Sequence, residues 1–211
     1  SSVTYEAADG GEPADIRILS NEKDGTIAVY GNALRVEKRT LTIGDAYSEV
    51  KFAVLGRHAE RIWGTGAAGY PDSVFYSRPY GPFNWTDVPE TPELGGGVIN
   101  QPTWDGDAFI SLEPFGGYLL AVKERTIFEI RGTDPGSFTI TEAYGTDGPV
   151  EERTICTDRT SMLYLSQNGI GLYDGNTLRL LSRDALYETM RMRMEGMDSA
   201  FDLLTFPSLE D

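Results

Sequence analysis

The sequence predicts a mainly β protein whose short antiparallel strands repeat in a propeller-like plan. Glycine and proline occur 24 and 11 times in 211 residues, a usage that suits tight turns better than long helices. Asp-Gly and Asn-Gly pairs, which supply the positive φ angles of hairpin turns, separate short runs of β-branched and aromatic residues. Several of these runs recur in the same order, and this recurrence is the most specific of the three observations.

Residues 117–140 and 161–181 share one arrangement of runs and turns. In both segments an apolar strand is followed by a polar turn, by a second apolar strand that ends in Arg-Gly or Asp-Gly, and by a third strand. Weaker copies are present at 61–85 and 15–39. Such repetition with a period of about 40 to 50 residues is typical of a β-propeller, and a β-sandwich or barrel built of hairpins is the alternative.

One segment departs from the strand pattern. Residues 183–196 carry apolar side chains at a helical period, and the sequence predicts a helix there with a packing face for a partner subunit. The residues of that face are Leu186, Met190, Met194 and Met197. We therefore expect a propeller-like domain over residues 1–182, as a complete or an incomplete propeller, followed by a C-terminal helix and tail over 183–211.

The net charge of −15 and the isoelectric point of about 4.4 limit the partners of this chain. A groove that clamps nucleic-acid phosphates is expected to be basic, because its affinity comes from Lys and Arg. An acidic surface could instead line a passage through which DNA slides without sticking, since like charges repel. Simple solubility is the alternative explanation of the charge.

Cysteine content and hydropathy bear on the compartment. Cys156 is the only cysteine, so an intrachain disulfide is impossible, which fits assembly in a reducing cytoplasm. No apolar run reaches the roughly 20 residues of a membrane helix, and we expect no membrane segment. The sequence shows no signal-peptide pattern and does not start with Met, so we expect a processed product or a piece of a longer protein.

Residues capable of chemistry are few, and we expect neither an enzyme nor a cofactor. His58 is the only histidine, and Cys156 lies far from it in sequence, so a nucleophile–base pair has one weak candidate. One Cys and one His do not suffice for a zinc site. Asp105 and Asp107 flank a glycine without the further ligands of a calcium loop. Pairs of carboxylates that could hydrolyse glycosides cannot be told from surface charge.

Aromatic residues offer the best candidates for contact with a partner or a sugar. Tyr80, Phe83 and Trp85 lie in a long insertion rich in Pro and Gly over 80–97, and Trp104 follows shortly after it. Long loops of this kind often carry interactions. The alternative is structural, since the same rings could close a channel end or fill the seam between two sheets.

The order of several short motifs resembles a known family. A strand "RIW" is followed by "SVFYS" and then by Trp85, and a "VKERTIF" hairpin is followed by "SQNGI" and an Asp-Gly turn. Between about residues 57 and 183 this order is similar to the propeller-like structural proteins of tailed bacteriophages and prophages, of the tail-hub or tail-nozzle type. Residues 1–50 match that family less clearly.

The resemblance implies a component of the virion and not an enzyme. It implies a tail protein that is assembled in the cytoplasm of the bacterial host, in a homo-oligomeric ring with other tail or portal proteins. DNA would pass through that ring without specific binding, and the acidic charge would then favour its passage. It implies no catalytic residue. The alternative function is a receptor- or carbohydrate-binding β module that uses Trp85, Trp104 and neighbouring tyrosines.

Overall fold

The computed structural model describes a set of ranges that together contain all sixteen strands discussed below. These ranges are 2–7, 14–19, 27–30, 36–39, 41, 43–44, 47, 50–104, 106–144 and 147–181. The first four of them are described as backbone only. The helix predicted over 183–196, with Leu186, Met190, Met194 and Met197, lies outside the described residues.

The described strands form four sheets of four antiparallel strands each, which we number in chain order. Sheet 1 consists of β1 (Ser2–Ala7), β2 (Ala14–Leu19), β3 (Ile27–Tyr30) and β4 (Val36–Arg39). Sheet 2 consists of β5 (Val54–His58), β6 (Arg61–Thr65), β7 (Ser73–Tyr76) and β8 (Gly97–Asn100). Sheet 3 consists of β9 (Phe109–Phe115), β10 (Tyr118–Lys123), β11 (Ile127–Arg131) and β12 (Thr139–Tyr144). Sheet 4 consists of β13 (Cys156–Thr157), β14 (Met162–Ser166), β15 (Gly169–Tyr173) and β16 (Leu178–Leu180).

The prediction of a mainly β fold with repeated antiparallel strands is confirmed. In every sheet the strands follow one another in chain order, so each sheet is a simple meander. The two clearest repeats, 117–140 and 161–181, are the last three strands of sheets 3 and 4. The described helical structure consists of two short 3-10 helices, Pro92–Leu94 and Glu152–Thr154. None of the described helices is long and apolar enough to span a membrane.

Successive sheets pack through their first strands. β1 lies against β5, β5 against β9, and β9 against β13. The sheets do not close into a barrel, because each keeps two edge strands. The arrangement is propeller-like, since the sheets follow one another face to face and sheet 3 packs on sheet 2 through one face and on sheet 4 through the other.

The central position of β10 explains its uninterrupted apolar sequence. All six of its residues are buried. Because side chains alternate along a strand, Leu119 and Ala121 pack in the cluster shared with sheet 2, whereas Leu120 and Val122 pack in the cluster shared with sheet 4. A strand covered on both faces reads as a continuous hydrophobic run.

The connections between strands lie at two ends of the stack. We call the end that carries the connections after β6, β8, β10, β12 and β14 the upper rim. The opposite, lower end carries the connections after β5, β7, β9, β11, β13 and β15. Contacts between sheets agree with this division: Lys123 bonds Asp72 at the upper rim, and His58 bonds the carbonyl of Gly132 at the lower end.

Candidate functional site

The insertion between β7 and β8 is closed by a buried arginine. Arg61 is 1% exposed, and its guanidinium donates hydrogen bonds to the carbonyl oxygens of Ser77, Glu93 and Gly95 at 2.7, 2.5 and 2.5 Å. The planar guanidinium can bond several carbonyls at once, which an ammonium group cannot do in the same geometry. The arginine of the "RIW" motif therefore has a structural role in this fold.

The aromatic residues of that insertion have different environments. Trp85 is 2% exposed, stacks on Phe52 at 4.8 Å between ring centroids, and donates its indole N–H to the carbonyl of Pro82. Phe83 packs partly buried against the same core cluster. Tyr80 is 62% exposed at the lower end. The prediction of Trp85 as a surface contact residue is therefore wrong. Trp85 is a core residue whose ring fills the space between the insertion and sheet 2.

A buried lysine joins sheets 2 and 3 at the upper rim. The side chain of Lys123 is fully buried, and its Nζ lies 2.5 Å from the Asp72 carboxylate. It also donates to the carbonyl of Gln101 at 2.9 Å and to the hydroxyl of Thr103 at 3.4 Å, and it lies 4.7 Å above the ring of Phe109. These partners replace the water that a buried ammonium group has lost.

A polar recess of about 160 Å³ opens at the upper rim between sheets 3 and 4. Its walls are the β10–β11 turn, the segment after β12 and the β14–β15 turn. The side-chain amide of Asn168 donates to the Asp147 carboxylate, and the hydroxyl of Tyr164 donates to the backbone carbonyl of Asp147. Glu124 and Arg125 line the opposite wall. The recess therefore combines hydrogen-bond donors and acceptors in a small volume.

A second recess, of about 290 Å³, lies on the other side of the same β10–β11 turn. It is lined by Glu124 and Arg125 together with the segment 106–108. The Asp107 carboxylate accepts hydrogen bonds from the backbone N–H groups of Glu124 and Arg125, at 3.3 and 2.8 Å. Trp104, in the same connection, is 95% exposed. Of the four aromatic candidates, Trp104 and Tyr80 lie at the surface, at opposite ends of the stack.

His58 and Cys156 lie in separate environments. Nε2 of His58 is 2.9 Å from the carbonyl oxygen of Gly132, which joins sheets 2 and 3. Burial lowers the pKa of His58, and the bond to Gly132 opposes that shift. Cys156 is exposed in β13, opposite Leu163 of β14. We assign His58 to inter-sheet packing.

A carboxylate and a phenol connect sheets 3 and 4 at the lower end. Tyr173 donates its hydroxyl proton to Glu129 at 2.6 Å, and Arg131 donates to the same carboxylate at 2.8 Å. Burial alone would raise the pKa of Glu129, but the hydrogen bonds from Arg131 and Tyr173 outweigh it and lower that pKa. Burial, followed by the bond to Glu129, raises the pKa of Tyr173. The Glu129 carboxylate is thus paired with the Arg131 guanidinium and bonded by Tyr173, an arrangement that suits packing between sheets 3 and 4.

A metal site needs several ligand side chains close together. Within the ranges that the structure describes, no cluster of three His, Cys, Asp or Glu side chains could hold a metal ion. Asp105 lies outside those ranges, and the Asp107 carboxylate caps two backbone N–H groups of a turn. Turn chemistry therefore accounts for Asp107.

The outer face of sheet 4, on the side away from sheet 3, is apolar over β14 and β15, and the exposed Arg179 of β16 lies beside Leu172 at its edge. Met162, Tyr164 and Tyr173 point toward sheet 3 and are buried. Alternation sends the residues between them to the other face, where the cross-strand register pairs Leu163 with Leu172, Leu165 with Ile170, and Cys156 with Leu163. Leu163 is 40% exposed, and the other three apolar side chains are partly buried.

Comparison with known proteins gives no family assignment. No family model matches the sequence. No curated protein matches it either. Among solved structures, the chain is similar to the extracellular domain of a putative hybrid two-component system from B. thetaiotaomicron, at 13% identity and a TM-score of 0.38. That match covers 81% of this chain and 26% of the other, so the chain spans about a quarter of that neighbour's length.

Proposed function

We infer that the chain is a structural subunit of a phage or prophage tail, of the hub or nozzle type, which assembles with copies of itself into a ring. The observation that carries this proposal is the apolar outer face of sheet 4. Between sheets 2 and 3, and between sheets 3 and 4, the facing sides share an apolar core, and the first strands of these sheets lie side by side. A second copy of the chain, offering its sheet 1, would continue this packing.

The geometry of such a contact is head-to-tail. It joins two different surfaces, the outer face of sheet 4 on one copy and sheet 1 on the next, and repetition of such a contact produces a closed ring when the rotation allows it. Leu163, Leu165 and Leu172 would supply apolar area at the contact. The motif order that resembles tail proteins supports the same assignment, because its arginine and lysine have structural roles: Arg61 holds the insertion of sheet 2, and Lys123 joins sheets 2 and 3.

The experiment is a measurement of mass by light scattering, with electron micrographs of the same sample. Wild-type protein is expected to form particles of one uniform copy number with ring-shaped projections. The double variant Leu163→Glu/Leu172→Glu is expected to be folded by circular dichroism but monomeric, because it places charges in an apolar contact. Leu94→Glu is the matched control, since Leu94 is a 50% exposed leucine in sheet 2's insertion. Wild-type protein that stays monomeric at every concentration would refute the assembly.

The acidic charge supports a ring through which DNA passes without binding. A net charge of −15 repels phosphates at the distances that salt does not screen. We therefore expect no retardation of duplex DNA by the assembled protein, even at low salt where such binding is strongest. Retardation that disappears as salt is raised would contradict this role, since it would reveal a basic contact surface.

A further inference from the structure

Trp104 is nearly free of contact with the rest of the molecule. Its side chain is 95% exposed, whereas Trp63 and Trp85 are buried. A tryptophan carries a large apolar surface and one N–H donor, so it contributes strongly wherever a ligand covers it. One exposed aromatic residue proves nothing by itself, and its surroundings decide whether it serves a site.

The backbone beside Trp104 is held at several points. The N–H of Gly106 bonds the carbonyl of Thr103 at 3.1 Å. Lys123 anchors the start of this segment through Gln101 and Thr103, and Asp107 anchors its end on the β10–β11 turn. These contacts fix described residues before and after Trp104, which lowers the entropy cost of binding a ligand there.

Two polar recesses adjoin this anchored turn. Gly106, the last residue of the turn, lines the recess of about 290 Å³, and the β10–β11 turn separates it from the recess of about 160 Å³. The polar residues that line the smaller recess are Glu124, Arg125, Asp147, Gln167 and Asn168, and among them the Asn168 amide already donates to the Asp147 carboxylate. Carboxylates accept hydrogen bonds, whereas amides both donate and accept.

The geometry points to a binding site for a neutral oligosaccharide at the upper rim, with one sugar unit in the smaller recess and another stacked on Trp104. A sugar ring has an apolar C–H face that an indole covers, and its hydroxyls both donate and accept, as Asn168 and Gln167 do. The polar walls disfavour a wholly apolar ligand. Two carboxylates, Glu124 and Asp147, outnumber the one cation, Arg125, in the lining of the smaller recess, so its net negative charge disfavours phosphorylated ligands.

A glycan array followed by fluorescence titration tests this site on the full chain. The wild type is expected to bind neutral oligosaccharides on the array. The same soluble glycan is expected to alter the tryptophan emission, because Trp104 is the exposed one of the three tryptophans. Trp104→Ala is expected to weaken binding by about tenfold or more, and Asn168→Ala by about fivefold to tenfold, the loss that one or two hydrogen bonds represent.

Tyr80→Ala is the matched control, since Tyr80 is an exposed aromatic residue at the opposite end of the stack. It is expected to bind the glycan as the wild type does. An array without a neutral glycan among its ligands would overturn the proposal, and so would equal binding by Trp104→Ala and wild type. If Trp104→Ala instead loses only the oligomeric mass, the residue serves a protein contact and the sugar site is refuted. The mass is measured separately, so failure of the ring and failure of the sugar site are distinguishable.

Discussion

Lys123 and Asp72 form an ion pair between sheets 3 and 2, with Nζ 2.5 Å from the carboxylate oxygen. The lysine is fully buried, whereas the side chain of Asp72 is 29% exposed. The two partners therefore differ in what their loss leaves behind. Removing the aspartate leaves a buried cation, and removing the lysine leaves a carboxylate that water still reaches.

We predict that Asp72→Ala destabilises the protein more than Lys123→Met. Asp72→Ala is expected to lower the free energy of unfolding by about 3 kcal/mol, near the lower limit for breaking a buried ion pair. The loss stays near that limit because Gln101 and Thr103 still bond the lysine. Lys123→Met is expected to cost about 1–2 kcal/mol, since methionine keeps much of the packed volume. Urea unfolding of both variants checks the order, and a larger loss for Lys123→Met would contradict it.

We predict that Arg61→Lys loosens the insertion between β7 and β8. An ammonium group cannot reach the carbonyls of Ser77, Glu93 and Gly95 together, and the expected loss is about 2–4 kcal/mol for one or two charged hydrogen bonds. Limited proteolysis is expected to cut the variant within the insertion. Arg78→Lys is the comparison, since Arg78 also bonds this insertion but is less buried. Equal resistance of Arg61→Lys and wild type to cleavage would show that Arg61 is not the clamp.

We predict that Gly148→Ala disturbs the upper rim between sheets 3 and 4. A Cβ at Gly148 would collide with the backbone of Glu124 and Arg125, so the two turns would have to separate. The expected destabilisation is about 1–3 kcal/mol, as for other overpacked positions. Gly44→Ala is the control, because a Cβ there meets no atom within 4 Å among the residues that the structure describes, and it is expected to be neutral. Thermal unfolding that is identical for the two variants would contradict this packing.

We predict that His58 titrates below its ordinary pKa of 6.5 in the folded protein. Burial disfavours the imidazolium, so the unfolded chain binds the proton more readily. The stability that this group contributes is therefore complete above pH 6.5 and is lost as the pH falls from 6.5 through the folded pKa. Proton NMR of the single imidazole measures the folded midpoint, and His58→Gln is expected to remove this part of the pH dependence. A midpoint at or above 6.5 would contradict the burial.

The sequence predicted the repeated strands because local chemistry determines them. Asp174-Gly175 lies in the β15–β16 turn as expected, whereas the β14–β15 turn is formed by Gln167 and Asn168, one residue earlier than predicted, and Gly169 begins β15. The alternating residues of β14 and β15 separate into a buried and an outer face. The apolar run of β10 predicts a strand. Its burial on both faces is not predictable from that run, because it depends on the neighbouring sheets. Repetition at one period was enough to group these strands into similar sheets.

The candidate site was less predictable, because its residues come from separate sheets. Trp85 and Trp104 are both tryptophans near glycine and proline, and only the packing of Phe52 under the insertion shows that Trp85 is buried. No local pattern indicates that Lys123 contacts Asp72, because 51 residues separate them. The sequence indicates only a turn at Asn168. Its bond to Asp147 depends on how the β14–β15 turn packs against the segment after β12.

The central claim is that the outer face of sheet 4 packs against another copy of the chain, and Cys156 measures it directly. This exposed cysteine is the only one in the sequence and lies on that face beside Leu163. Its rate of reaction with a thiol reagent should be followed from about 1 μM to about 100 μM protein, a range that spans the dissociation constants of moderate interfaces. The account predicts that the thiol becomes protected as the concentration rises, and that Leu163→Glu/Leu172→Glu abolishes this protection. A rate constant that is the same at every concentration would contradict it.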